Sequence, residues 1–399
     1  MSVSISSVDE IAFSSGEMSE NPSKLEGLAE KIRWVWGRLY DASIGNLIKI
    51  AYVVRSAIGA AVRDVFFFPL KCGWITNIQS VKDQLQIEEE YYRDFWDPAK
   101  AVDPNLENHA KIREAFAPPE DRSLSIRLND GRIAEITCRI VQTIEQGDNV
   151  YNFVQVPGIY STISNNIGTT HAYLSAYLNV NPEGTPLPPA RFIMISLNNL
   201  NIKPADLDEA GFILSESLKQ MNAIFGRINQ IVAHSLGTVF LANALKQADD
   251  FSTLPQHICL DRGPTSLWEV SKKYGWGIGL LIYPIAKCGG WVADVEEDLL
   301  TYCSKAENKP ALLITGVLQD HHFSGDANLC FSKKIKALEN AEILIFDPPR
   351  QLVHQTAHHN LRPDFLNPRY LLEESDFIQH SENLAAAIIR RSFKRPCLN

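Results

Sequence analysis

One serine in the chain carries flanks that suit a nucleophile. Ser235 lies in Ala233-His234-Ser235-Leu236-Gly237, between the apolar run Ile231-Val232-Ala233 and a helix-like run from Thr238 to Leu245. A strand, a serine and a buried helix in that order make a sharp turn that holds the hydroxyl clear of the sheet. The turn is sterically demanding, so the residues two before and two after the serine must be small, as Ala233 and Gly237 are. The backbone N–H of Leu236, at the start of the helix, is then aimed where an oxyanion would develop. Acyl transfer needs two further groups, a base to take the hydroxyl proton and an acid to orient that base.

The elements that must position these groups are legible around the serine. Residues 123–128 and 133–141 alternate apolar and polar side chains about Asn129-Asp130-Gly131, a hairpin signal. Further apolar runs at 151–156, 192–197, 231–233, 257–260, 312–316 and 343–346 suit strands of a parallel sheet buried on both faces. Leu214, Leu218, Met221 and Phe225 share one face of a helix that Gly226 ends, and residues 376–391 close with another helix. A hairpin leading into parallel strands alternating with helices, with the serine after the third parallel strand, resembles the α/β-hydrolase fold. Ala-His-Ser-x-Gly likewise resembles the nucleophile elbow of lipases in which alanine replaces the first glycine. The resemblance spans about residues 123–393.

That resemblance implies the chain order serine, acid, histidine. Asp320 follows the run 312–316 where the family places its acid; Asp326 is the alternative, although it suits the cap of a helix beginning at Ala327. His359 ranks first as the base, because His359-Asn360 resembles the dipeptide that ends this loop in several hydrolase subfamilies. His358 and His354 follow. His321 and His322 precede the last strand and break the order, and His234 diverges from the nucleophile it adjoins. The second oxyanion donor is sought in Val156-Pro157-Gly158-Ile159-Tyr160, as the N–H of Ile159 or alternatively of Tyr160, with Gly158 permitting close backbone approach. Downstream, Asp261-Arg262-Gly263-Pro264-Thr265-Ser266-Leu267 resembles a stretch of the chlamydial CHLPS-type hydrolases and related effector lipases of intracellular bacteria. Asp261 and Arg262 read as a structural ion pair. Residues 264–300 fall at the cap position of the fold, and the uncharged run 274–286 within them suits an acyl chain or lipid. The implied activity is a serine hydrolase, esterase- or lipase-like, acting on an ester or thioester of an apolar acyl group. The alternative is a catalytically silent module of the same fold that docks at a host protein or membrane.

Composition sets limits on both readings. A hydrophobic share of 45% with 21% charged residues is that of a globular chain, and a net charge of −9 argues against nucleic acid as a partner. Seven cysteines without a Cys-x-x-Cys pair suggest reduced thiols rather than a disulfide frame or zinc cage. No phosphate-cradling loop ending in Lys-Ser/Thr and no His-Glu-x-x-His pattern occurs, so neither a cofactor nor a metal is expected. Residues 1–23 are serine-rich and lack the basic start and apolar core of a secretory signal, so they read as a disordered leader. They are similar to export leaders of proteins that bacteria inject, which leaves two locations, the cytoplasm or export without a cleaved signal peptide. Residues 24–122 form a helical extension and 123–399 the hydrolase domain. Lys49, Arg55, Arg63 and Asp64 break the apolar run 44–70 into pieces too short for a bilayer, which takes about 20 residues. Residues 24–75 carry eight basic and four acidic side chains and end near Val65-Phe66-Phe67-Phe68, a pattern fit for peripheral contact with an anionic membrane. Packing on the catalytic domain is the other reading of these helices. The oligomeric state is left open.

Overall fold

The computed structural model describes residues 54–68, 86, 89–90, 93–100, 107–145, 147, 149–158, 162–163, 167–180, 187–248, 255, 257–273, 276–306, 310–317, 325–346 and 385–391. The chain divides into two units, Met1–Arg55 and Ser56–Asn399. Of the first, Val54 and Arg55 are described and both are helical. The fold is that of the second.

Among the described residues eight strands form one sheet in the order β1-β2-β4-β3-β5-β6-β7-β8. β1 (Glu120–Arg127) and β2 (Ile133–Gln142) make the hairpin, and its turn closes at Gly131, whose φ of 88° favours glycine. β2 pairs antiparallel with β4 (Ala190–Leu200). From there β3 (Tyr151–Val156), β4, β5 (Ile228–His234), β6 (His257–Asp261), β7 (Ala311–Val317) and β8 (Ala341–Phe346) pair in parallel. Before and between them run the helices α1 (Glu107–Ala115), α2 (Ile167–Asn179), α3 (Leu207–Phe225), α4 (Leu236–Lys246), α5 (Leu267–Lys273), α6 (Trp276–Gly289) and α7 (Val295–Lys305). This order, with a helix leaving β5 directly, is the α/β-hydrolase fold.

Local chemistry explains the elements nearest the elbow. Asp206 caps α3 by accepting from the Glu209 N–H at 2.8 Å, and Gly226 ends it at φ 83°. β5 alternates between two cores: Ile231 and Ala233 face one that includes α3 and α4, Val232 the other, with Phe153, Tyr173 and Tyr177. The second core is closed by Ile388 and Ile389 of the helix at 385–391.

The N-terminal aromatics belong to the first core. Residues 56–62 are helical and pass through a π turn, Arg63–Phe67. Phe67 and Phe68 are 3% and 0% exposed. Both rings pack against Phe240 of α4 and Trp291 beyond α6, with centroid separations from 4.7 to 6.2 Å. These two side chains therefore have no apolar surface to offer a membrane, contrary to the aromatic patch inferred from sequence; the Phe66 side chain lies outside those described. Phe68→Ala should lower stability by about 3–5 kcal/mol, the range for emptying a phenylalanine site in a core. A urea midpoint unchanged from the native chain would show that the site is not packed as described. No described helix is long and apolar enough to cross a membrane.

Beneath the other face, α2 places His171 among Phe95, Trp96 and His109, the nearest ring being Phe95 at 3.9 Å. Neither of its ring nitrogens has a hydrogen-bond partner among the described residues. Burial, and secondarily the His109 ring, hold its pKa well below the ordinary 6.5. The folded chain thus refuses a proton that the unfolded chain accepts. Stability is fully present above about pH 6.5 and falls on acidification, by about 1.4 kcal/mol per pH unit for one such group. His171→Phe should flatten the pH dependence of the urea midpoint between pH 7 and pH 5. An unchanged slope would place the titration elsewhere.

Candidate active site

β5 ends at His234 and α4 starts at Leu236, so Ser235 alone makes the turn. Its backbone sits at φ 52°, ψ −120°, a region that costs an L-residue on the order of 1–3 kcal/mol. The turn is tied on its helical side by Thr238, whose N–H and Oγ1 donate to the Ser235 carbonyl at 3.0 and 2.6 Å. Leu236 opens α4, and its N–H is among the first four that a helix leaves without an intrahelical acceptor.

Gly237 is small because of β3, a neighbour that the sequence did not point to. A Cβ on Gly237 would lie 2.4 Å from the Val156 carbonyl oxygen and 2.6 Å from that of Pro157, so α4 approaches β3 as closely as two backbones can. A Cβ on Gly158 would lie 3.0 Å from Ser235 Cβ and 3.3 Å from the His234 carbonyl oxygen. The turn after β3 is thereby pressed against the serine, with Ile159 the next residue in the chain.

Beside the serine runs a buried polar network. His234 Nδ1 donates to Asp261 Oδ2 at 2.7 Å, and Thr315 Oγ1 donates to Asp261 Oδ1 at 2.7 Å. The Arg262 guanidinium folds back on the same carboxylate, with Nη2 2.6 Å from Oδ2 and Nε 3.0 Å from Oδ1. Burial would raise the Asp261 carboxyl, but the Arg262 charge and the His234 hydrogen bond outweigh it and hold the group well below the usual carboxylate range. The ion pair read from sequence is present; the partners His234 and Thr315 were not foreseen. The missed signal was register: once β5, β6 and β7 are aligned as parallel neighbours, His234, Asp261 and Thr315 fall opposite one another.

The described residues bring Ser235, Leu236 and Gly158 together. Asp320, His354, His358, His359, Ile159 and Tyr160 lie outside them. Asp326 is described: it is exposed in the 3-10 turn Gly325–Ala327. The next turn, Leu329–Phe331, is capped by Asn328, whose side chain accepts from the Cys330 N–H at 3.1 Å. The capping role expected of Asp326 thus falls to Asn328, because the chain at 325–331 forms two short turns instead of one helix. Asp326 borders a cavity of about 830 Å³ whose wall mixes Trp268 and Tyr283 with the charged Glu269, Glu296 and Lys333. Its walls come partly from α5 and α6, the stretch read as the cap, and its size suits a small organic ligand.

No family model and no curated protein matches the chain. Among solved structures, the esterase domain of a Rhodothermus marinus protein is 11% identical at a TM-score of 0.41, covering 68% of this chain and 98% of that one. A hyperthermophilic esterase from the archaeon Pyrobaculum calidifontis is 13% identical at 0.44, covering 79% and 94%. Brefeldin A esterase, a bacterial homologue of human hormone sensitive lipase, is 13% identical at 0.41, covering 79% and 86%. At these values the likeness carries no activity over to this chain. The fold rests on the strand order and the elbow.

Proposed function

We propose that the protein is a serine hydrolase that cleaves an ester or thioester of an apolar acyl group. The observation that carries this reading is the strained backbone of Ser235 at the strand-to-helix junction, with Gly158 pressed against it. Strain of this kind persists where it serves geometry, here a hydroxyl raised toward the C-terminal edge of the sheet. In the proposed reaction His359 takes the Ser235 proton as Oγ attacks the acyl carbon, and Asp320 orients the imidazole. The Leu236 and Ile159 amides hold the oxyanion. The imidazolium then protonates the leaving alcohol or thiol, and water, activated by the same histidine, releases the acid.

A fluorophosphonate probe tests the reading. The native chain should be labelled, and labelling should vanish in Ser235→Ala with the fold intact by circular dichroism. A native chain that takes no label would favour the silent docking module instead. The likeness to CHLPS-type effector lipases rests on the residues 261–267 together with size, the helical N-terminal extension and motif order, and export is proposed from the serine-rich residues 1–23.

A further inference from the structure

The last residues of β5 and β6 and a residue two short of the end of β7 place their side chains in one row. His234 of β5 is in register with Asp261 of β6, and Asp261 with Thr315 of β7. The three are 4%, 1% and 0% exposed, and two hydrogen bonds of 2.7 Å join them. Arg262, fully buried, completes the charge balance on Asp261. An ion pair buried in this way is a poor source of stability, because desolvation offsets the attraction between its charges. It is a good source of direction, since each of its hydrogen bonds constrains angle as well as distance.

What the row constrains is visible in the backbone. Among the described residues the non-glycine positions at positive φ are Ser235 and Arg262, and each directly follows a member of the row. The Ser235 N–H donates to the Asp261 carbonyl at 2.9 Å, and the Arg262 N–H to the Thr315 carbonyl at 2.8 Å. Each strained residue is thus held by the adjacent strand's member of the row. At the other end, the His234 ring carbon Cδ2 is 3.4 Å from where a Cβ on Gly158 would stand. The row therefore links the turn that follows β3, the elbow after β5 and the C-terminal half of β7.

We propose that His234, Asp261, Arg262 and Thr315 are positioning residues that hold Ser235 and the Gly158 turn in reacting geometry. This rests on the serine hydrolase reading. A network that only stabilised the fold would change how many molecules are folded and leave the rate of each working site alone. The discriminating quantity is therefore kcat per fluorophosphonate-titrated site, measured with KM on a p-nitrophenyl ester for the full chain. Thr315→Val removes one hydrogen bond to Asp261 while keeping shape and charge. It should lower kcat per titrated site about three- to tenfold, the worth of one hydrogen bond, with KM nearly unchanged. Thr315→Ser, which restores the hydroxyl, should recover the rate. Asp261→Asn should lower it further where that protein folds; Thr315→Val decides where it does not. A Thr315→Val enzyme whose kcat per titrated site stays native, or which changes only KM, overturns the proposal. A native chain that takes no label refutes the hydrolase reading itself, and the proposal with it.

Discussion

Ser235→Ala should lower turnover of a p-nitrophenyl ester by several orders of magnitude, and Ser235→Gly should do the same while making the protein more stable than Ser235→Ala does. The first effect follows from the role of the hydroxyl. Without it, only the residual catalysis of the oxyanion site and binding remains, on the order of 10³–10⁴ over water. The second follows from the backbone. At φ 52°, ψ −120° a Cβ is strained, and glycine relieves that strain at a cost in unfolded-state entropy of about 0.5–1 kcal/mol. The net gain of Ser235→Gly over Ser235→Ala should be on the order of 1 kcal/mol, read as a higher urea midpoint. Near-native esterase activity in Ser235→Ala would remove the serine from the reaction. A Ser235→Gly protein no more stable than Ser235→Ala would show that the turn stores no strain, and with it would go the observation on which the functional reading depends.

The sheet was legible because its strands are short apolar runs separated by polar or small residues. Each of the eight was anticipated, β3 with its ends in place and the others misplaced by a few residues: β4 extends to Ala190–Leu200 where 192–197 was read, since the strand bulges after Ile195 and pairs again at Leu200, beyond two asparagines that interrupt the apolar signal. α2 was missed for the opposite reason. Its residues from Thr170 to Tyr177 are all buried, polar ones included, so no exposed face gives the sequence a helical contrast. Ser235 and its small neighbours were recognisable because a steric rule fixes their types at fixed spacing. The row beside them was not, because His234, Asp261 and Thr315 are distant in sequence and meet only through the register of three strands. The fate of Phe67 and Phe68 was equally hidden. An apolar patch at the end of a basic helix suits a membrane or a core, and only the presence of Phe240 and Trp291 opposite the rings decides for the core.

Gly237→Ala should be among the most destabilising single-methyl changes in the chain, and Gly158→Ala should damage activity more than stability. The difference lies in what each new Cβ would meet. At Gly237 it would come within 2.4 and 2.6 Å of two backbone carbonyl oxygens at the end of β3, and backbone of a central strand has no rotamer by which to yield. α4 would have to move off the sheet, at a cost at or beyond the upper end of the roughly 1–3 kcal/mol typical of overpacking, and it would carry Leu236 with it. At Gly158 the nearest atom would be Ser235 Cβ at 3.0 Å, an overlap that a few tenths of an ångström relieve. That small displacement falls on the nucleophile and on the turn leading to Ile159, where sub-ångström placement governs rate. Urea midpoints and kcat per fluorophosphonate-titrated site separate the two effects. Gly237→Ala should shift the midpoint strongly, whereas Gly158→Ala should keep a near-native midpoint and lose most of its turnover. A Gly237→Ala protein as stable as the native chain would contradict the close approach of α4 to β3. A Gly158→Ala enzyme of native rate would place the oxyanion donor away from this turn.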